Sequence, residues 1–453
     1  MRLYDVSQGE WDMGQIGFVN VCHMDYVCNA ALEMADRTVE ALRGKGIDIC
    51  QVKAPVIDSL GAERAGRELL KNEVEGVVMF LGTWIECPVA MSVVREVEHL
   101  PMCLWGFPMF MENGILSSTG SYVSYAMFKG TMDRVQYKYK PILGLPDDVS
   151  TLNEAISFCK AASCAERLKR TRIGLVGYTS MSIYPGTFDH VFLRVKIGPE
   201  VEQLDSYTLI NMAEAIEQSG YQDILNYLKS TARISEDVGE DDLIKVSKLC
   251  AALKDFSKER RLSAVNVKCQ YEFSKEYKMV MCVPLSALAE FGIVSSCEGD
   301  MLNTVSMAIL NYLSGEVVTY GDAINHEGNV IKFSSCGFIP FSVGAEGKKE
   351  IRKFMPHPGF NGIQNSFVMK PGHVTVMRLV EDRCDYHIVY ATGEGLNTEL
   401  RQGYMPALDI RFDGDVRKFI DNYSGQHYAI CYGDLSLKLE DLARILGIKA
   451  IKV

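Results

Sequence analysis

Two rhythms of apolar residues alternate along the first hundred positions. Residues 15–21 (QIGFVNV), 47–52, 74–81 (VEGVVMFL) and 102–105 are apolar runs of strand length, as expected for strands buried on both faces. Between them, residues 27–44 keep Ala30, Leu32, Ala35, Val39 and Leu42 on one side, and Gly44 and Gly46 end that helix. Residues 62–71 repeat the helical period, and Pro88 opens a further helix running to Glu98. Strand–helix alternation of this kind predicts an open parallel sheet with helices on both sides. Residues 115–170 form a bridge: a loop at 117–121, a helix over 122–135, a break at Pro141, Gly144 and Pro146, and a helix over 151–168.

The alternation then restarts. Residues 172–177, 200–204 and 264–269 predict strands, 189–195, 206–230 and 240–257 helices, 279–283 an extended segment and 286–290 a short helix. A strand at 292–296 leads to Glu298 and Asp300, an apolar helix over 301–313 stopped at Gly315, and a short run at 317–320 that delivers Asp322. This reads as one strand–helix–strand unit with an acid at each end. Beyond Asp322 the runs shorten: 330–333, 337–343, 375–379 and 386–391, separated by Gly, His and Asn. That texture predicts antiparallel, partly barrel-like structure. Helices at 415–422 and 435–446 and a strand at 448–453 close the chain. The fold expected is α/β: two Rossmann-like parallel-sheet α/β domains, 1–168 and 169–314, followed by a mixed, antiparallel β-rich C-terminal domain, 315–453, that completes the site.

Composition narrows the partners. The net charge of −11 over 453 residues argues against nucleic acid and against a polybasic membrane anchor. The first residues lack a basic segment followed by an apolar run, and no stretch has the length of a membrane helix, so a cytoplasmic protein is expected. The 14 cysteines form no CxxC pair and read as reduced core thiols, with Cys297 or Cys336 lining a site as the minority reading. No GxGxxG or GxxxxGK[ST] follows a strand, so a nucleotide fingerprint is absent. The predicted strand ends carry other chemistry: Cys22 to Tyr26, including His23, after the first strand, and Gly82 to Glu86, including Trp84, after the third. Lys268 and Gln270 follow the strand at 264–269. Ligands of open α/β sheets bind at such carboxyl ends. Core packing of Trp84 and capping by Thr83 account equally well for the third strand end, and helix capping is the simpler account of Glu298 and Asp300 taken alone.

Three segments of the last third, read together, resemble the L-fucose/L-arabinose isomerase superfamily. They are CEGDMLNTVSMAILNYLSGE from Cys297, SSCGFIPFSV from Ser334 following Asp322, and SGQHYAICYGDLSLKLEDLARILGI from Ser424; MKPGHVTVMRL from Met369 adds a fourth likeness. The resemblance implies a metal-dependent aldose–ketose isomerase, an intramolecular oxidoreductase working through a cis-enediolate on an open-chain sugar. It implies Mn²⁺, or another divalent cation such as Mg²⁺, held by Glu298, Asp322 and His427. Glu298 and Asp322 would also serve as the acid/base pair, with Asp300 supporting a ligand. Oxygen donors with one imidazole suit such ions. The resemblance further implies a homo-oligomer, trimer or hexamer, with sites completed between subunits. A deoxy sugar, a pentose and a modified hexose such as a sulfonated one stay open as substrates, with Lys268, Arg172 and Lys129 as candidate contacts for an anion.

One position departs from the pattern. Where the family commonly carries His before Cys-Gly, this chain has Ser335, with His357 and His373 as the histidines available to stand in. Ser335, Lys268, Gln270, Trp84 and His23 complete the candidate substrate contacts. Epimerisation or carbon–carbon cleavage through the same enediolate, and non-catalytic sugar binding, remain the alternatives.

Overall fold

The structure is a computed structural model and describes residues 14–453 apart from Lys348 and Cys384. It contains two parallel, Rossmann-like sheets followed by a mixed, largely antiparallel barrel. One compact unit runs up to Glu166 and takes in Leu437–Ile448; the other holds Arg167–Ser436 and Lys449–Val453.

The first unit is built on five parallel strands. Ile16–Val21 lies between Ile49–Gln51 and Gly76–Leu81, and Met102–Gly106 and Lys140–Leu143 follow on the far side. Every residue of Ile16–Val21 and Gly76–Leu81 is buried, which matches their apolar sequences, Asn20 excepted. The chain steps to opposite sides of Ile16–Val21 for its second and third strands. The crevice of this sheet therefore opens where those two central strands end, at His23 and Thr83. A hairpin, Phe110–Glu112 with Ile115–Ser117, leads into the bridge ahead of the loop expected at 117–121.

In the second unit, Arg172–Val176 lies between Glu200–Leu204 and Ala264–Val267, and Val294–Cys297 completes a four-stranded parallel sheet. Six strands then close a ring in the order Gly372–Glu381, His427–Tyr432, Thr319–Glu327, Val330–Ser334, Ala407–Phe412 and Tyr386–Leu396, the last pairing back to the first. Closure removes exposed strand edges. Lys449–Lys452 adds a parallel strand outside the ring.

Four expectations are corrected. The segment 279–283 is not extended: the helix Cys282–Glu290 begins inside it, with Cys282 to Ala289 all buried. A helix buried all round shows no period to tell it from a strand. The run 337–343 joins no ladder. Its Ile339 N–H donates to Ser286 Oγ at 3.0 Å, its Ile339 carbonyl accepts from Asn365 at 2.9 Å, and it ends in a 3-10 turn after Pro340, which has no N–H to give. The single helix expected over 206–230 is two, Ser206–Glu214 and Gln218–Thr231. Finally, Glu298 and Asp322 do not bound one strand–helix–strand unit of one sheet. Val294–Cys297 belongs to the parallel sheet and Thr319–Glu327 to the barrel, and Asp322 lies within its strand rather than at the end.

Candidate active site

Glu298 owes its position to a strained turn. The strand Val294–Cys297 ends and the helix Met301–Ser314 begins within three residues, and both Glu298 (φ +69°) and Gly299 (φ +68°) take left-handed backbone conformations. A side chain at 299 would meet the Tyr178 carbonyl oxygen at 2.4 Å, so glycine is required there. For Glu298 the same conformation costs about 1–2 kcal/mol, and such strain collects at functional sites. Buried Asn266 clamps the turn: its Oδ1 accepts from Gly299 N–H at 2.7 Å, and its amide donates to Ser296 Oγ at 2.9 Å and to the Cys297 and Asp300 carbonyls at 3.2 Å.

Asp300 does the capping that either acid was expected to do. Its Oδ1 accepts from Asn303 N–H at 3.0 Å, and its Oδ2 stands 2.9 Å from His427 Nδ1. Arg378, itself fully buried, donates to the same carboxylate at 2.9 and 3.3 Å and to the His427 carbonyl at 2.8 Å. The barrel register sets the other two groups, since Asp322 and His427 are direct partners across antiparallel strands. His427 Nε2 lies 3.3 Å from Glu298 Oε2 and 3.4 Å from Asp322 Oδ1, and is buried with no satisfactory hydrogen bond of its own.

The charges settle each other. Burial works against an imidazolium at His427, but the hydrogen bond to Asp300 and the close approach of Glu298, with the charges of Glu298 and Asp322, hold it well above the usual histidine range. Burial likewise opposes ionised Glu298 and Asp300, yet His427 for the first, and Arg378 with His427 for the second, hold both below their ordinary values. Asp322 goes the other way: burial, with the nearby Glu298 and Asp300 carboxylates, pushes it up to about 6 against the pull of His427.

Glu298 and Asp322 line a cavity of about 380 Å³, open solvent included, together with Gln270, Ser335, Tyr320, His357, four cysteines and three phenylalanines. Both Cys297 and Cys336 are in that wall, and the 13 described cysteines are all free thiols. The Cys297 thiol sits 2.7 Å from the Tyr320 hydroxyl. Ser335 donates to the Phe338 carbonyl at 2.6 Å. Lys268 is not in the lining: it is fully buried, pairs with Glu272 and lies under the Tyr178 ring at 3.8 Å. Arg172 pairs with Glu202, and Lys129 with Asp133 at 2.7 Å.

His23 and Trp84 lie in the first compact unit, together at its sheet crevice. Their rings are 5.3 Å apart, Tyr26 packs on His23 at 4.9 Å, and His23 N–H donates to Thr83 Oγ1 at 2.9 Å. His326 is exposed on the barrel, and Tyr428 is core as its strand face requires. Asn266, Arg378 and Tyr320 escaped the sequence reading. Arg378 left one sequence signal, a lone cation in the apolar run 374–380, where only a buried anion would keep it.

No family model matches the chain. It is similar to the sulfoquinovose isomerase of Alkalicoccus urumqiensis, 23% identical over 324 residues that make up 70% of this chain and 72% of that protein. The sulfoquinovose isomerase of Priestia megaterium (strain ATCC 12872 / QMB1551) is 22% identical over 325 residues, 69% of this chain and 71% of that one. This distant homology places the chain in a general sugar-isomerase superfamily and supports isomerase activity in general terms; it does not place it with fucose isomerases in particular. An ABC transporter periplasmic solute binding protein from Actinobacillus succinogenes 130z with bound D-allose aligns over 67% of this chain and 92% of that one, at 8% identity and a TM-score of 0.18, too low to carry an argument. No helix among the described residues is long and apolar enough to cross a membrane.

Proposed function

We propose that the protein is a divalent-metal-dependent aldose–ketose isomerase acting on an open-chain, modified sugar. The observation that carries this is His427 Nε2: buried, without a satisfactory hydrogen bond, and faced by two carboxylates at 3.3 and 3.4 Å while Asp300 holds the other ring nitrogen. Among the described residues no group of three or more His, Cys, Asp and Glu side chains stands ready-made around a metal-sized point; the two carboxylates close onto the imidazole instead. The donor types, two carboxylates and one imidazole, suit such an ion. Metal–ligand bonds of about 2.1 Å at right angles put neighbouring donors about 3 Å apart, close to the separations present. A carboxylate on the far nitrogen of a ligating histidine is the usual orienting partner.

Glu298, Asp322 and His427 would hold Mn²⁺ or Mg²⁺, and the bound ion would supply Lewis-acid stabilisation of charge on adjacent sugar oxygens. The chain's own groups supply the rest. Isomerisation moves one proton from C2 to C1 and one from O2 to O1. A cavity-lining carboxylate is the group for the carbon-bound proton. Gln270, hydrogen-bonded to Glu298, steadies that carboxylate, and Phe338, Phe354 and Phe360 wall the reacting atoms from water. The relatives are named for sulfoquinovose, which supports a modified sugar here. The lining includes no Lys or Arg, so neutral deoxy sugars and pentoses belong in the same test.

The test is a chelator-stripped sample, Mn²⁺ add-back, and a panel of sulfonated, deoxy and unmodified aldoses in D₂O. A ketose carrying deuterium at C1, formed only with metal, is expected. Exchange at C2 without a ketose would favour epimerisation, and binding without exchange would favour a sugar-binding protein.

The proposed function includes a homo-oligomer, trimer or hexamer, with the crevice of His23 and Trp84 serving a neighbouring subunit. Exposed Met111, Ile115 and Leu116 on the hairpin of the first unit support assembly. Light scattering behind a sizing column is expected to give three or six chain masses; a monomer at micromolar concentration would refute it.

A further inference from the structure

Aldose–ketose conversion needs a carrier for the hydroxyl proton as well as for the carbon-bound one. Neither nitrogen of His427 is free for that work, one held by Asp300 and the other turned to Glu298 and Asp322. Ser335, in the cavity wall, has its hydroxyl committed to the Phe338 carbonyl and in any case does not exchange a proton near neutrality. The same wall holds one further imidazole, His357.

His357 reaches the cavity from the connection between the strands Glu350–Lys353 and Ile363–Asn365, and the chain there is built to hold it. Pro356 and Pro358 flank it and restrict the backbone on both sides. Phe360 N–H donates to the His357 carbonyl at 3.1 Å, and Gly359 takes φ +87°, so His357-Pro358-Gly359-Phe360 has the marks of a type II turn. The turn is anchored behind: Asn361 N–H donates to the Ser274 carbonyl, and its own carbonyl accepts from Val280 N–H, each at 2.9 Å. The ring lies between Phe354 and Phe360, at centroid distances of 6.2 and 5.4 Å. Its Nε2 is 3.6 Å from Cys336 Sγ, a thiol that burial first, and the Glu298 charge after it, keep protonated. The imidazole is thus oriented by a neutral neighbour, stays exposed to the cavity mouth, and is paired with no carboxylate among the described residues. His373, the other histidine considered for this duty, lines no part of the cavity and lies 3.1 Å from Asp413.

We infer that His357 is the group that carries the hydroxyl proton, taking it from O2 of the bound aldose and returning it to O1 while a carboxylate moves the C2 proton to C1. Both protons are conserved and no further reactant enters. The inference rests on the isomerase reading above. Its test pairs His357→Ala with His357→Asn in the metal-loaded protein, on whichever aldose the wild type converts. The expected result for both is a fall in kcat of about 10²–10⁴-fold, the range of general acid–base catalysis, with Mn²⁺ stoichiometry unchanged. Free imidazole should restore part of the His357→Ala rate, which a packing defect would not allow. Variants within threefold of wild type, or a loss that imidazole leaves untouched, overturn the inference while the isomerase reading stands. A wild type that converts no aldose overturns both.

Discussion

His427→Ala is expected to abolish stoichiometric Mn²⁺ binding and to lower kcat/KM for the converted aldose by at least about 10³-fold. The size follows from what the residue joins. Its imidazole stands against both Glu298 and Asp322, and without it those carboxylates confront each other in a buried cleft with their mutual repulsion unrelieved. Glu298→Gln should act alike on the metal while leaving Asp300, Arg378 and His427 in place. The two variants therefore separate the metal site from the network behind it. Isothermal titration with Mn²⁺ and steady-state rates measure both effects. Undiminished metal binding in either variant would remove the site assignment.

Arg378→Met is expected to destabilise the second unit by about 3–5 kcal/mol, the cost of breaking a buried ion pair from one side. Arg378 and Asp300 are 1% and 2% exposed, and the guanidinium also holds the His427 and Pro185 carbonyls, each at 2.8 Å. Methionine fills much of the volume but leaves a buried carboxylate with His427 as its remaining cationic partner, and two carbonyls without their donor. The same loss loosens the orientation of His427, so metal affinity should fall by about 10–100-fold even where the variant is folded. Urea denaturation followed by tyrosine and tryptophan fluorescence gives the first number, and titration of the folded fraction gives the second. A midpoint unchanged from wild type would show that the network is not what holds the turn at Glu298.

Much of the architecture was legible in the chain. Strands buried on both faces run nearly continuously apolar, so QIGFVNV and VEGVVMFL declare themselves in spite of Asn20 and Glu75. Gly315 ends its helix in the left-handed conformation that the bare sequence suggests. Legibility failed where burial was uniform or pairing was remote. The helix Cys282–Glu290 shows no period because every side of it is covered. The run at 337–343 looks like a strand but is hydrogen-bonded by the side chains of Ser286 and Asn365 rather than by a neighbouring ladder.

The candidate site divides along the same line. It was the resemblance of three segments to the L-fucose/L-arabinose isomerase superfamily that singled out Glu298, Asp322 and His427; by residue type alone they read as a helix cap, a turn acid and a core histidine. Their meeting is a tertiary fact. The antiparallel register sets Asp322 opposite His427, and a turn from a different sheet, held by Asn266, brings in Glu298. Tertiary structure alone also divided the labour between the neighbouring acids, giving Asp300 the helix cap, the arginine and the imidazole while leaving Glu298 to the cavity. It chose His357 over His373 for the cavity wall and turned Lys268 away toward Glu272. Local sequence dictates backbone conformation and burial within an element. Which side chains share a cavity depends on register and loop course between elements a hundred residues apart, and no local pattern encodes that.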